Sequence, residues 1–556
     1  MRARAAARWP SRAARGRHAD VAAAAPRASG LVHRRSPPSR RAALGQGCLP
    51  VPAALCRLPP VARRPARRRD RCGFRRRPPS RAERWHHPGR HGDPARSAAA
   101  VGAAIAPRTR VTGGTRGSAT SGQGDAATPG ATLCWASAEI DPGTLAAVRR
   151  YAHCAGRVLE RDGLSVLTWG TACHLQLAFG TSDAAAVREL EAQLAAIPPA
   201  RPADGPASIG PGPLAIGALA FDPTALSQLV VPEIAVVADG TSCRATTVGT
   251  QAEVARALAG FPFVADAPAP EPDDGAWPPE AFQLRSARSH TDFRDQVARA
   301  LGAIRAGGVD KVVLVREVTV VADQPFHQHH LLERLRALHP SCLAFAVDGF
   351  VGASPELLLR RTGREVVSQP LAGTVARSGD PEEDRHLAAG LLASAKERSE
   401  HRIVVDAILG TLRPSCSHLA APDLPHLLEL RNVAHLATRV TGQLAAPTPD
   451  APMPGALALA AALHPTPAVG GWPTAAALGY LAKFEELDRD RFAGPVGWVR
   501  ADGDGEWWIG IRSALLDGPR ARLMAGVGVV EGSDPAAELA ETQLKLQALL
   551  AAAVRP

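Results

Sequence analysis

Residues 291–321 read TDFRDQVARALGAIRAGGVDKVVLVREVTVV, and this stretch contains a helix followed by a strand. Apolar side chains recur at helical spacing over residues 291–306, and Gly307-Gly308 ends that pattern. Over residues 311–321 the side chains are mostly β-branched or apolar, which is typical of a buried strand. From Ser289 onward the chain continues in long, regular elements of both kinds.

Further elements follow toward the C-terminus. Residues 343–347 and 349–352 predict two strands around a turn. The sequence DPEE at 380–383 combines an N-cap aspartate, a first-turn proline and a glutamate at N3, which predicts a helix that runs toward Ile408 and ends before Pro414. Asp534-Pro535 repeats this start in front of a C-terminal helix.

Residues 132–265 alternate shorter strands and helices. Strands are predicted at residues 164–169, 175–179 and 229–237, and a helix at 183–197. The Pro-rich stretches 198–213 and 267–279 are predicted to be loops or linkers.

The first 130 residues have a composition unlike that of the remainder. They contain 28 Arg, no Lys and five acidic residues, which gives a net charge of +23. The whole chain carries +12, so the remaining residues are acidic, at −11. The basic character therefore belongs to the first segment alone, which argues against a nucleic-acid-binding body.

Three interpretations of residues 1–130 remain open. A segment so rich in Arg, Ala, Pro and Gly cannot bury enough apolar surface to fold, which predicts a disordered basic tail. A targeting peptide would need an apolar core of ~7–15 residues after its charges, and none follows. The third interpretation, which the composition favours, is a reading frame extended upstream of the true start.

Other features exclude further classes of protein. The longest apolar stretch, residues 456–463, is too short for a membrane span, which needs ~18 residues. The nine cysteines form no CxxC pair, which fits a reducing cytoplasm and argues against a structural zinc site.

Lysine is rare in this chain. Only four of the 65 basic residues are lysines: Lys311, Lys396, Lys483 and Lys545. Because a buried lysine can lose its proton whereas arginine effectively cannot, a lysine in such a chain indicates a place where arginine would fail. Chance retention on a solvated surface is the alternative for each of them.

Two predicted helices carry acidic pairs three residues apart. The pairs are Glu397 with Glu400 and Glu538 with Glu541, and each pair shares one face of its helix. Either pair alone is more typical of a solvated surface. If the two pairs meet, however, their repulsion predicts a cation between them, and Mg²⁺ prefers such oxygen ligands.

Lys311 opens an apolar strand, and Glu356 lies between a Ser-Pro turn and three leucines. Desolvation disfavours the charged form of either group, which predicts a base at Lys311 and an acid at Glu356. A strand-edge lysine and a surface glutamate are the alternatives. The glycines within PLAGT (370–374) and AGVG (525–528) indicate a close approach of the backbone to a ligand.

Taken together, ten ordered segments resemble the chorismate-utilising enzymes, which comprise the isochorismate, salicylate, anthranilate and aminodeoxychorismate synthases. These segments are KVVLVRE (311–317), GASPELLLR (352–360), PLAGT (370–374), ASAKERSEH (393–401), HLAT (435–438), LHPTPAVGGWP (463–473), FAGPVGW (492–498), IGIRSA (509–514), AGVGVV (525–530) and ELAETQLKL (538–546). Three of the four lysines lie inside them.

The resemblance implies a single large α/β (α+β) chorismate-binding domain, in which two packed β-sheet layers are flanked by helices and enclose the active site. Residues 131–284, which include the similar segment IGALAFDP (216–223), would form the N-terminal part of this synthase domain. Residues 285–556 would form its chorismate-binding catalytic region, with Mg²⁺ as the cofactor and chorismate as the substrate.

The resemblance also implies roles for individual residues. Lys311 matches the base that activates water for attack at ring carbon 2, and Glu356 matches the acid that protonates the departing carbon-4 hydroxyl. The implied magnesium ligands are Glu400 and Glu541, with Glu397 and Glu538 acting nearby or through water. The implied substrate-contacting positions are Gly373, Thr374, His435, Ala468, Arg512, Gly526, Gly528 and Lys545.

Within this family, an isochorismate synthase is the expected member. Ammonia-using relatives generally carry Gln at the position of Lys311, and aminodeoxychorismate synthases often carry a reactive lysine at the position of Ala372. The residues Ala468, within HPTPAVGG, and Phe492, before GPVGW, resemble those of isochorismate synthases rather than those of lyases. A salicylate synthase, which also eliminates pyruvate, is the alternative, and a basic nucleic-acid-binding protein is a remote one.

The expected product would feed menaquinone or siderophore biosynthesis. Because these enzymes are often monomers, we expect a cytoplasmic monomer that binds neither nucleic acid nor membranes.

Overall fold

The computed structural model describes residues 132–178, 184–200, 212–260, 279–449 and 451–554. The predicted basic tail, residues 1–130, lies outside these ranges, as do most of the two Pro-rich stretches. Every helix, strand and contact given below belongs to the described ranges.

The helices in these ranges are numbered in chain order. They are α1 (Leu145–Ala155), α2 (Ala184–Ala195), α3 (Gln251–Gly260), α4 (His290–Arg305), α5 (Gln328–Leu338), α6 (Pro381–Ala393), α7 (Ala395–Leu412), α8 (Ala456–Leu463), α9 (Thr474–Phe484) and α10 (Pro535–Val554). Single 3₁₀ turns at Pro142–Thr144 and Arg413–Ser415 precede α1 and follow α7.

The strands are numbered in the same way. They are β1 (Cys134–Glu139), β2 (Arg157–Arg161), β3 (Leu164–Trp169), β4 (Cys173–Ala178), β5 (Leu214–Ala218), β6 (Leu226–Val231), β7 (Ile234–Ala238), β8 (Cys243–Gly249), β9 (Phe282–Ser286), β10 (Lys311–Ala322), β11 (Leu343–Val347), β12 (Phe350–Ser354), β13 (Leu357–Thr362), β14 (Glu365–Gln369), β15 (Leu371–Ala376), β16 (Cys416–Ala420), β17 (His426–Glu429), β18 (Val433–Ala437), β19 (Val440–Leu444), β20 (Gly471–Trp472), β21 (Pro495–Arg500), β22 (Gly505–Ile509), β23 (Ser513–Asp517) and β24 (Arg520–Val530).

Two large antiparallel sheets and one small sheet organise these strands. The first large sheet has the order β1-β8-β7-β3-β2-β11-β12-β23-β24-β10-β20, with β9 also paired to β10. The second has the order β16-β19-β14-β13-β22-β21-β5-β6-β4, and the small sheet consists of β15-β18-β17. Strands from residues 131–284 and from residues 285–556 pair within both large sheets, as β2 with β11 and β5 with β21.

The two large sheets share an apolar core. Leu159 and Phe345 of the first sheet belong to the same buried cluster as Ile216, Trp498 and Trp508 of the second. Helices α5 and α10 cover another face of the first sheet with leucines of their own. Burial of these apolar side chains, at ~25 cal/mol per Å², drives the layers together. The prediction of two packed sheet layers flanked by helices is confirmed.

Two predicted elements are wrong in their extent. The single helix expected from residue 381 to a point before Pro414 is divided into α6 and α7 at Ser394. Ser394 has extended backbone angles (φ −64°, ψ 116°), and its side chain accepts a hydrogen bond from the Glu397 backbone, which starts a new helix. The strand expected at residues 229–237 is divided into β6 and β7, because the chain turns at Pro232-Glu233.

Other elements match the predictions closely. The predicted strand at residues 311–321 is β10, and the helix predicted at residues 291–306 is α4, capped by Ser289. Asp534 accepts hydrogen bonds from the first backbone N–H groups of α10, as an N-cap does. Within the described ranges, no helix combines the length and the apolar character needed to cross a bilayer.

Candidate active site

A cavity of about 940 Å³, partly open to solvent, lies between the first large sheet, the small sheet and helices α7 and α10. Fourteen of its lining residues are the predicted site residues: Lys311, Glu356, Gly373, Thr374, Glu397, Glu400, His435, Ala468, Arg512, Gly526, Gly528, Glu538, Glu541 and Lys545. The structure therefore brings all of them together.

Lys311 is the first residue of β10, and only 1% of its side chain is exposed. Its Nζ atom lies 2.8 Å from Oε1 of Glu400, on the neighbouring helix α7. A Cβ atom at Gly528, on the adjacent strand β24, would collide with that same Oε1 and lie 2.9 Å from Cε of Lys311. The glycine at position 528 therefore makes room for the Lys311–Glu400 pair.

Glu356 lies between β12 and β13, and its backbone N–H donates to Oγ of Ser354 over 3.3 Å. Its side chain is buried, and this burial raises the pKa of its carboxyl group to about 7. A hydrogen bond from the Leu371 backbone and the positive charges of Lys311 and Lys545 oppose the rise without cancelling it. Glu356 therefore has the raised pKa that an acid working near neutral pH requires.

The two acidic pairs begin the helices α7 and α10. Glu397 lies in the first turn of α7 and Glu400 one turn later, and Glu538 likewise lies in the first turn of α10 with Glu541 one turn later. Because both helices start at the cavity, spacing of three residues directs each pair to the same space. The two pairs line the same cavity, which is the condition under which their repulsion predicts a cation between them.

Each of these four glutamates is paired with a lysine. Besides Lys311 with Glu400, Nζ of Lys545 lies 2.8 Å from Oε1 of Glu541. Nζ of Lys396 lies 3.3 Å from Oε1 of Glu397 and 3.5 Å from Oε1 of Glu538. In the described part of the chain, no three His, Cys, Asp or Glu side chains are arranged to hold a metal ion as they stand.

The four carboxylates nevertheless have the chemistry of a magnesium site. Burial, with added repulsion from Glu541 and Glu400, raises the pKa of Glu538 to about 7. Burial also raises the pKa of Glu397, and the same two neighbours add to that shift. Carboxylates that repel one another favour a cation between them, and Mg²⁺ is satisfied by a few such oxygens plus water. The donor set fits Mg²⁺ provided that the lysine contacts open.

His435 and Arg512 form a hydrogen-bonded pair on the cavity wall. Nη2 of Arg512 donates to Nε2 of His435 over 2.8 Å, so the proton of the imidazole lies on Nδ1, 3.1 Å from the Gly373 carbonyl oxygen. Burial, together with the Arg512 charge, holds the pKa of His435 well below its usual value, and the ring is neutral. Nη1 of Arg512 is buried and has no hydrogen-bond partner among the described residues.

The strained backbone of Arg512 agrees with a functional role. Its φ angle is +51°, a left-handed conformation that side-chain-bearing residues rarely adopt. Nη2 is engaged by His435 and Nη1 has no partner in the described part of the chain, so the guanidinium can bind an anionic group of a ligand. Nζ of Lys545, on helix α10, also donates to the carbonyl oxygen of Gly526 on β24 over 2.9 Å.

Sequence reasoning missed Arg489, which also lines the cavity. Its guanidinium donates to the Val469 carbonyl oxygen over 2.8 Å and to the Val313 carbonyl oxygen over 2.6 Å. A buried ion pair with Glu485, 2.7 Å long, completes this group and fixes the segment that carries Ala468 beside β10. Because the chain uses arginine almost everywhere, nothing in the sequence distinguishes this one.

The chain is similar to several proteins of known name. The isochorismate synthase DhbC of Bacillus subtilis is 38% identical over 351 residues, which cover 61% of this chain and 80% of that protein. The crystal structure of a putative 2,3-dihydroxybenzoate-specific isochorismate synthase, DhbC from Bacillus anthracis, is 30% identical, with a TM-score of 0.61. That match covers 74% of this chain and 98% of the other.

MenF, the menaquinone-specific isochorismate synthase from Escherichia coli, has the same fold, with a TM-score of 0.61 at 23% identity over 76% of this chain and 95% of its own. The sequence model of the family described as chorismate binding enzyme matches residues 158–554, which include every residue that lines the cavity. This match extends over well more than half of the chain, and the protein therefore belongs to the chorismate-binding enzymes.

Proposed function

We propose that this protein is an isochorismate synthase, which isomerises chorismate to isochorismate with the help of Mg²⁺. The observation that carries the proposal is the set of residues that line one cavity: a buried lysine, a buried glutamate of raised pKa and two acidic helix turns. The names of the DhbC proteins of Bacillus subtilis and Bacillus anthracis, both isochorismate synthases, agree with it.

Lys311 is the proposed base. Its Nζ atom takes a proton from a water molecule as the water oxygen attacks ring carbon 2 of chorismate. Only the neutral amine can do this, so the contact of 2.8 Å with Glu400 must open in the productive complex. Glutamine, which ammonia-using relatives carry at this position, has no basic nitrogen and could not activate water.

Glu356 is the proposed acid. Because burial raises its pKa to about 7, its carboxyl group is protonated below that pH and can donate to the hydroxyl that leaves carbon 4. The ring double bonds shift as one oxygen bond forms at carbon 2 and another breaks at carbon 4. One water is consumed and one is released, so the overall reaction is an isomerisation.

Chorismate carries two carboxylates, and the cavity offers cationic groups to hold them. Arg512 presents the buried Nη1 atom, which has no partner among the residues that the structure describes, and neutral His435 fixes the orientation of the guanidinium. Lys545 adds a second cation on α10. Glycine at positions 373, 526 and 528 lets the substrate approach the backbone closely.

The cofactor would be held by Glu400 and Glu541, with Glu397 and Glu538 nearby or acting through water. When bound, Mg²⁺ supplies positive charge for a carboxylate of the substrate. The six cysteines in the described ranges are all free, which supports a reducing cytoplasm. A monomer whose product feeds menaquinone or siderophore biosynthesis completes the proposal.

Product analysis tests this function. The purified protein is incubated with chorismate and Mg²⁺, and the products are separated by liquid chromatography and identified by mass. Isochorismate without salicylate is the expected result. Salicylate together with pyruvate would replace the proposal by a salicylate synthase, and an absence of chorismate turnover would overturn both functions.

A further inference from the structure

Lys396 is the one cavity lysine to which the proposed mechanism gives no role. It is the second residue of α7, and its ammonium group touches carboxylates on two helices: Glu397 of α7 at 3.3 Å and Glu538 of α10 at 3.5 Å. It therefore holds together two first turns whose own negative charges repel each other.

The position of this ammonium group conflicts with a bound metal ion. Both carboxylates that Lys396 contacts belong to the four-glutamate group in which Mg²⁺ is proposed to bind. A divalent cation held by Glu400 and Glu541 interacts with the negative charge of Glu397 and Glu538, directly or through water, and it repels an ammonium group at short range. Binding of the cation therefore disfavours the contacts that Lys396 makes with these two carboxylates.

We propose that Lys396 is a built-in competitor of the divalent cation, whose ammonium group neutralises Glu397 and Glu538 in the metal-free enzyme and leaves them when the metal binds. The inference rests on the metal site of the proposed function. In that site, Lys396 sets the Mg²⁺ concentration at which the metal binds. Without the metal, Lys396 also prevents repulsion between the glutamates of α7 and α10 from separating the two helix turns.

The chemistry of lysine suits this exchange. About a third of the Lys396 side chain, 37%, is exposed, so the ammonium group has a path into solvent. A lysine ammonium is a compact, strongly hydrated charge on a flexible stem, whereas an arginine guanidinium binds carboxylates in a fixed, two-pronged geometry and would be harder to displace. This difference accounts for a lysine here in a chain with only four lysines among 65 basic residues.

Calorimetric titration of the full-length protein with MgCl₂, without chorismate and at constant ionic strength, tests the inference. Lys396→Gln removes the competing charge, and we expect it to bind Mg²⁺ tighter than wild type by on the order of tenfold or more. Lys396→Arg keeps the charge and should bind no tighter than wild type. Lys483→Gln, the matched control, removes an exposed lysine outside the cavity and should bind like wild type.

Thermal unfolding supplies a second readout. Without metal, Lys396→Gln should melt below wild type, because the two helix turns then repel without compensation, and added Mg²⁺ should raise its melting temperature more than that of wild type. Equal or weaker Mg²⁺ binding by Lys396→Gln, in a wild type that does bind Mg²⁺, would overturn the competition and leave the proposed function intact.

Failure of the metal site itself has a different signature. Glu541→Gln removes a proposed ligand without touching Lys396, so it should bind Mg²⁺ more weakly than wild type. If neither wild type nor any variant binds Mg²⁺, the metal assignment is wrong and the inference about Lys396 falls with it.

Discussion

Lys311 is almost completely buried. It is also one of only four lysines in a chain whose other basic residues are arginines. Lys311→Arg keeps the charge and much of the length, but a guanidinium group cannot accept a proton near neutral pH. We expect isochorismate formation to fall by ~10²–10⁴-fold, as is usual for loss of a general base. Chorismate binding, measured separately by titration, should change little.

Two further variants sharpen this prediction. Lys311→Gln should be equally poor with water, since its amide is not basic. Lys483→Arg makes the same exchange at an exposed lysine and should leave the rate unchanged. A rate close to that of wild type for Lys311→Arg would mean that Lys311 supplies only charge.

The raised pKa of Glu356 links folding stability to pH. The ordinary value of 4.5 rises to about 7 in the folded protein, so the folded state binds the proton more tightly than the unfolded state. Stability is therefore lost as pH rises from 4.5 to 7, by ~3 kcal/mol in total, and the loss is complete above pH 7. Turnover that needs the protonated acid should decline over the upper end of the same range.

Glu356→Gln removes this titration. Between pH 4.5 and pH 9, the free energy of unfolding of the variant should increase by a few kcal/mol relative to that of wild type. The turnover of the variant should fall by ~10²–10⁴-fold. Denaturant unfolding of both proteins across this pH range measures the difference, in which the titration of other groups cancels. Parallel stability curves would show that Glu356 titrates normally.

Gly528 and Gly526 offer a matched pair on one strand. A methyl group at Gly528 would collide with Glu400, whereas at Gly526 its nearest neighbour would be Cγ1 of Val313 at 3.3 Å. Gly528→Ala should lower kcat on the order of 100-fold, because the added methyl group displaces the Glu400 carboxylate that contacts Lys311. Gly526→Ala should mainly raise KM. Similar kinetic effects of the two substitutions would contradict this account.

At the scale of elements, local pattern predicted most helices and strands, and it failed where one polar side chain outweighed helical periodicity. β10 and α4 follow from apolar spacing and from a glycine stop, and the structure reproduces them almost to the residue. The break between α6 and α7 depends on Ser394, which sits in helical sequence but caps the next helix with its hydroxyl group. Serine is compatible both with the interior of a helix and with an N-cap, so the spacing of apolar residues alone could not locate this break.

This cap has a functional consequence because it fixes the turn that carries Glu397. Ser394→Ala should cost about 1 kcal/mol of stability through loss of the cap, and it should also raise the Mg²⁺ concentration needed for activity. Ser289→Ala removes a comparable cap from α4, so it should lower stability similarly without changing the Mg²⁺ requirement. Denaturant unfolding and Mg²⁺ titration of activity measure both effects. An unchanged Mg²⁺ requirement in Ser394→Ala would separate the cap from the metal site.

At the scale of the whole molecule, the order of the strands within the sheets could not be predicted from local sequence pattern. Leu159 pairs with Phe345, and Ile216 pairs with Trp498, across long stretches of intervening chain. Such pairings depend on burial of both sheet faces, which no window of sequence encodes, and only the family resemblance predicted two packed layers. The resemblance also identified fourteen cavity residues, but Arg489 carries no motif, and the bridging contacts of Lys396 depend on where α10 packs.

In the proposed mechanism, the enzyme makes isochorismate by adding water at carbon 2 and expelling the carbon-4 hydroxyl. The most direct test is an early time point of the reaction in water labelled with oxygen-18, followed by mass spectrometry of the isolated product. We expect isochorismate that carries one oxygen-18 atom, at the new hydroxyl group. Isochorismate without the label would mean that the hydroxyl group migrates within the molecule, and Lys311 would then have no water to activate.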